Sequence, residues 1–202
     1  MKQIIRQIPL YRFLKFCNES DLDKTVLDCG AGGNCPPLSL FSDYGYLTHG
    51  IEFSQSQIDA ADTFAKRNNQ TLNIELGDMR HLKFADESFS FVYSYNSVFH
   101  MSKEDVKKSV NELKRVLKKG GLLFVNFLTV NDFRYGDGKD AGNNQFYQME
   151  DGESILHSYF TPDEADSFFN DMTLVYKENR TLERMYNGQK IQQGFVDYIL
   201  QK

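Results

Sequence analysis

The chain has 202 residues, 41% of them hydrophobic and 14% aromatic, enough for one sizeable core. Twenty-eight acidic against 23 basic side chains give a formal net charge of −5, which argues against a broad basic face for nucleic acid or anionic lipid. There is no apolar run long enough for a membrane span and no leader pattern over residues 1–10, so a cytoplasmic protein is expected.

Apolar periodicity switches between strand-like and helix-like along the chain. Ile5, Ile8, Leu10, Tyr11 and Leu14 predict an N-terminal helix within residues 1–20, weakened in its first turns by Pro9. Residues 25–27 read as a first strand, and Pro36 and Pro37 suit the first turn of a helix running to about Ser42. A second strand at 46–53 leads to Ser54 as an N-cap, followed by the stripe Ile58, Ala61, Phe64, Ala65. Strands follow at 72–76 and 89–95. Ser102 then caps a helix with the face Val106, Val110, Leu113, Leu117, ended by Gly120 and Gly121, and a fifth strand spans 122–128.

Strands alternating with helices imply a parallel sheet covered on both faces. The C-terminal part breaks that pattern. A short helix opens at Thr161, and strand-like runs at 174–186 and 190–200 flank Asn187-Gly188, a strong hairpin signal. The sheet is therefore expected to end in an antiparallel strand beside the fifth, and residues 1–202 to form a single domain. Residues 129–153 read as a glycine-bearing insertion, and Phe133, Tyr135, Phe146 and Tyr147 suit a loop that packs as a lid over a site.

Residues 26–33, Val-Leu-Asp-Cys-Gly-Ala-Gly-Gly, carry the clearest functional signal. A strand that ends in a glycine turn and leads into a helix is the usual start of a nucleotide-binding α/β domain. Asp28, two residues before Gly30, changes the chemistry: a carboxylate aimed at that crevice repels a pyrophosphate and suits a cation. Cys17, Cys29 and Cys35 form no Cys-x-x-Cys pair and read as reduced packing thiols, and no metal site is expected.

Five segments in order extend the signal. They are Leu27-Asp28-Cys29-Gly30-Ala31-Gly32, Gly50-Ile51-Glu52-Phe53-Ser54, Gly77-Asp78-Met79, the run 82–89 ending Asp-Glu-Ser-Phe, and the run 113–121 ending Lys-Lys-Gly-Gly. With them the chain resembles the class I S-adenosylmethionine-dependent methyltransferases, particularly the small-molecule branch with ubiquinone- and menaquinone-biosynthesis-type enzymes. The resemblance implies a Rossmann-like three-layer αβα sandwich with a seven-stranded, mostly parallel sheet whose last strand is antiparallel. It implies S-adenosylmethionine as cofactor, S-adenosylhomocysteine as product, and a small-molecule methyl acceptor.

Site residues carry over by position. Asp28 and the turn Gly30, Ala31, Gly32 would hold the methionine end, Glu52 the ribose hydroxyls, and Phe53 the adenine face. Asp78 would accept from the adenine amino group, the Met79 amide would meet a ring nitrogen, and the Tyr95 backbone the ammonium. The family's third glycine is replaced by Asn34, a residue that tolerates left-handed backbone. Methyl transfer is an in-line displacement that needs alignment above all, with His100 as the candidate general base if the acceptor arrives protonated. Tyr11, Asn126, Phe133 and Tyr135 are candidates to line the acceptor pocket. Two other readings remain open at this point: a non-catalytic binding module for the same cofactor, and a nicotinamide-dependent oxidoreductase, against which Cys35 and Asp28 both argue.

Overall fold

A computed structural model describes residues 8–150 and 152–202. Its first half follows the predicted alternation: α1 (Ile8–Asn18), β1 (Thr25–Cys29), α2 (Leu38–Asp43), β2 (Leu47–Glu52), α3 (Gln55–Arg67), β3 (Ile74–Leu76), β4 (Phe89–Ser94), α4 (Lys103–Val116) and β5 (Leu117–Thr129). Ile5 of the predicted N-terminal helix lies outside the described residues. After β5 come β6 (Lys139–Gly142), β7 (Gln145–Glu150) and β8 (Glu153–Phe160), a 3₁₀ turn at Glu164–Phe169, and the long strands β9 (Thr173–Tyr186) and β10 (Gln189–Gln201).

The main sheet runs β3-β2-β1-β4-β5-β10-β9. Strands β1 to β5 pair in parallel, and β10 is antiparallel to both of its neighbours. These seven strands follow the expected order with an antiparallel last strand and a hairpin turn at Asn187 (φ 48) and Gly188 (φ 75), but the sheet has ten strands, because β8, β7 and β6 extend it from β5. Alternate residues of each strand feed opposite cores, as a sheet buried on both faces requires. Val26, Phe91, Tyr93 and Phe124 pack with α1 and α2, while Leu27, Val92, Leu123 and Val125 pack with α4 and the 3₁₀ turn.

Three local readings need correction. Ser54 stands at the N-cap of α3 without capping it, because its hydroxyl pairs with that of Ser56 at 2.9 Å. Leu117 is not helical: α4 ends at Val116, and Leu117 pairs with Phe89 as the first residue of β5, so Gly120 and Gly121 lie inside that strand. The insertion is not a loop. Residues of 129–153 form β6 and β7, which pair antiparallel with each other, and β7 pairs antiparallel with β8.

β10 occupies one edge of β5 as far as Leu128, so β8, pairing at Leu128 and Thr129, takes the other edge beyond the end of β4. That junction sets the small antiparallel sheet over the carboxyl ends of the parallel strands. It is tied there by Ser158, whose N–H donates to Phe99 O (2.9 Å) and whose hydroxyl donates to Met101 O (2.6 Å). Ser102 does cap α4, accepting from Asp105 N at 3.1 Å. Ser102→Ala is expected to cost about 1 kcal/mol in urea denaturation.

Candidate functional site

A cavity of about 860 Å³ opens at the carboxyl ends of β1, β2 and β4. Its walls bring together Gly30, Gly32, Glu52, Phe53, Asp78, Met79 and His100 of the residues predicted from sequence. Backbone geometry explains the glycines. Gly30 has φ +97, and a Cβ there would lie 2.0 Å from Ser97 Oγ; at Gly32 it would lie 2.6 Å from Gln57 Cβ and 2.9 Å from Glu52 Oε2. A second left-handed residue falls at Gly33 (φ +103), so Asn34 is not asked to adopt that conformation.

Glu52 is held by the turn after β1 and by its own loop. Its carboxylate accepts from Gly32 N (3.1 Å) and Ser54 N (2.9 Å), which fixes it at the cavity wall with lone pairs to spare for further donors. Phe53 beside it is 76% exposed, a flat apolar surface with no covering residue. Asp78 is occupied: Arg80 reaches both of its oxygens through Nε, and its backbone N–H also donates (2.8 Å). The guanidinium holds the Asp78 carboxyl below the usual range, and any further donor must share it.

Other predicted residues stand behind or away from the wall. Asp28 is 1% exposed, and its Oδ2 has no hydrogen-bond partner, nor does the neighbouring Tyr93 hydroxyl. Burial pushes the Asp28 carboxyl well above its ordinary range, Tyr93 opposes this, and the charge of Glu52 adds to it. Ala31 is buried, and the Tyr95 ring stacks on Phe124, so the wall is taken by Asn96 and Ser97 instead. Asn126 does not line the cavity. It is buried and positions Asn96, accepting from Asn96 N and donating to Asn96 Oδ1, each at 2.7 Å. Tyr11 is exposed on α1; Phe133 is exposed, and Tyr135 packs edge-on against Phe146 and Tyr159, none of them on the cavity wall.

The stretch 129–153 does reach the site through Glu150 and Glu153, but sequence reasoning named neither of them, nor Met101 and Ile155 of the same far wall. Behind it lies His157, 1% exposed, with its ring centroid 4.6 Å from that of His100. Arg80 could have been found from its place directly after Gly77-Asp78-Met79. Glu150 and His157 could not, because only the pairing of β7 with β8 brings them beside residue 100.

Burial is the main cause holding the His157 ring below its usual range. The unfolded chain then binds the proton first, so the His157 contribution to stability is full above about pH 6.5 and falls as the pH drops below it. Replacing His157 by glutamine should flatten the acid limb of stability relative to the parent by up to about 1.4 kcal/mol per pH unit. Thermal melts from pH 7 to pH 5 in chelating buffer test this; parallel profiles for the two proteins would refute it.

Residues 27–125 match a family model described as a methyltransferase domain. An uncharacterized methyltransferase, YcgJ, of Bacillus subtilis is 28% identical over 79% of this chain and 60% of its own length. The 2-methyl-6-phytyl-1,4-hydroquinone methyltransferase of Synechocystis is 38% identical over 50% of this chain and 31% of its own. The chain thus spans less than two thirds of the length of these relatives. A solved structure titled as a SAM-dependent methyltransferase from Methanosarcina mazei superposes with a TM-score of 0.75 at 25% identity, covering 93% of this chain and 96% of that one.

Proposed function

We propose that the chain is a class I S-adenosylmethionine-dependent methyltransferase that transfers a methyl group from that cofactor to a small-molecule acceptor in the cavity described above. The observation that carries this reading is Glu52, fixed by two backbone donors at the end of β2 beside the bare glycine turn and the exposed Phe53 ring. A carboxylate with lone pairs free suits two ribose hydroxyls, and an aromatic face suits adenine.

The residues present fit the cofactor. The wall is acidic through Glu52, Asp78, Glu150 and Glu153, with Arg80 as a counter-charge committed to Asp78 and Asp105. That balance suits a sulfonium and an ammonium and disfavours a pyrophosphate. Asp28 Oδ2, buried without a partner, has a donor still to find, and a water or ammonium at the turn would supply one. Asp78 is the weaker match, since Arg80 already takes its oxygens.

When bound, the cofactor supplies a methyl group already activated by the positive sulfur. The protein's part is then binding, orientation and exclusion of water. The glycine turn and Asn96-Ser97 would border the cofactor's methionine end, and Asn126 locks Asn96 at φ 55. The β6–β8 sheet supplies a wall on the acceptor side through Glu150, Glu153 and Ile155. His100 presents an imidazole there, at an exposed position beside the His157 ring. No helix among the described residues is long and apolar enough to cross a membrane.

The experiment is a transfer screen with methyl-labelled cofactor against a panel of small phenols, thiols, amines and carboxylic acids. Label in an organic product at a rate above the protein-free control supports the reading. A protein that binds the cofactor and yields no product with any class is a binding module.

A further inference from the structure

Two histidines and one glutamate converge where the β6–β8 sheet meets the cavity. One ligand atom from each of His100, Glu150 and His157 lies within 4.8 Å of the others. His100 and Glu150 stand on the cavity wall, and His157 is buried behind them. Ligands on one zinc ion at about 2.1 Å sit roughly 3.4 Å apart in a tetrahedral array, so modest side-chain rotation closes the set.

The bonding around His157 is the telling feature. Its Nδ1 lies 3.2 Å from Ile155 O, and a carbonyl only accepts, so we assign the tautomer with the proton on Nδ1, which satisfies that contact. Nε2 is then a bare lone pair. It is buried without a hydrogen-bond partner, yet it lies 3.2 Å from Glu150 Oε1, itself an acceptor. Glu150 Oε1 already accepts from Arg134, so the group left without a partner is the buried His157 Nε2, where a cation would complete the set. A second proton on His157 is one candidate. A metal ion is the other. The outer contacts match that role: a metal-bound histidine donates its other N–H to a carbonyl, and a metal-bound carboxylate is itself hydrogen-bonded, as Glu150 is by Arg134.

We propose that His100, Glu150 and His157 form a binding site for a divalent transition metal of the zinc class, with an open coordination position facing the cavity. Two imidazoles and a carboxylate are the ligand set of open zinc and ferrous sites, whereas magnesium and calcium prefer oxygen alone. Arg134 already balances Glu150, so a bound dication leaves the site positive and ready for an anionic ligand. On the methyltransferase reading given above, that ligand is the acceptor: a phenol, enol, thiol or acid whose heteroatom binds the metal as its anion. His100 is then a metal ligand rather than a proton acceptor.

The test is calorimetric titration of the chelator-treated full chain with zinc chloride, repeated with cobalt(II) followed by visible absorption. The expected result is one equivalent bound, with a tetrahedral-type cobalt spectrum. His100→Ala, at an exposed position, and Glu150→Gln should each weaken zinc binding at least tenfold and remove that spectrum, with circular dichroism unchanged. Parent protein that takes up no zinc, or variants that bind it as tightly, would overturn the site. S-adenosylhomocysteine titrated into the same metal-free samples separates the two ideas. Its binding without zinc uptake refutes only the metal site, and zinc uptake without its binding refutes only the cofactor reading.

Discussion

Replacing Glu52 by alanine is expected to weaken S-adenosylhomocysteine binding by about 1–3 kcal/mol, a roughly five- to 150-fold rise in Kd, because two ribose hydroxyls lose a charged acceptor. The same substitution frees Gly32 N and Ser54 N, which now donate to the carboxylate. Both sit at a part-buried site where water can replace it, so the fold should lose less than the ligand does. Glu52→Gln keeps one acceptor and should fall between alanine and the parent. Calorimetry on the three proteins decides the matter, and equal affinities would remove Glu52 from the site.

A larger effect on stability is expected at Arg180. Asp197 on β10 is 1% exposed, and Arg180 on β9 grips it with two bonds, Nε to Oδ2 at 2.5 Å and a terminal nitrogen to Oδ1 at 2.9 Å. The guanidinium also lies 5.1 Å from the Phe195 ring centroid. Burial raises the Asp197 carboxyl above its usual range, and the arginine is what opposes that. Arg180→Ala leaves a buried charge with no partner and should cost about 3–5 kcal/mol. In a domain of this size that lowers Tm by roughly 6–20 °C. Replacing both partners, as Arg180→Met with Asp197→Leu, should recover most of the loss. A single-variant loss below about 1 kcal/mol in urea would contradict the account.

The parallel half of the fold was legible because its signals are local. β1 ends just after Asp28, β2 at Glu52 and β3 just before Asp78, and the glycine turn needs small residues that sequence displays directly. The end of α4 was misread for a physical reason: Gly120 and Gly121 look like a helix stop, yet Leu117 gains more by pairing with Phe89 in the sheet. The β6–β8 sheet was hidden because β6 is exposed along its whole length and shows no apolar alternation. Its turn did leave a trace, since Asn143 and Asn144 both take positive φ (53 and 56), as a tight hairpin requires. The far wall of the site depends on that hidden sheet, so Glu150 and His157 carry no local mark. Asn126 shows the reverse case: its position at the end of a strand suggested the pocket, and the fold uses it one layer back, to hold Asn96.

The most direct test of the central claim is titration of the unmodified chain with S-adenosylhomocysteine and, separately, with NADH. The account predicts one equivalent of S-adenosylhomocysteine bound, with the amide signals of Gly32, Phe53 and Ser97 among those that shift in a nitrogen–proton NMR spectrum, and no response to NADH. Binding of NADH in place of S-adenosylhomocysteine, or shifts confined to residues away from the cavity, would contradict it.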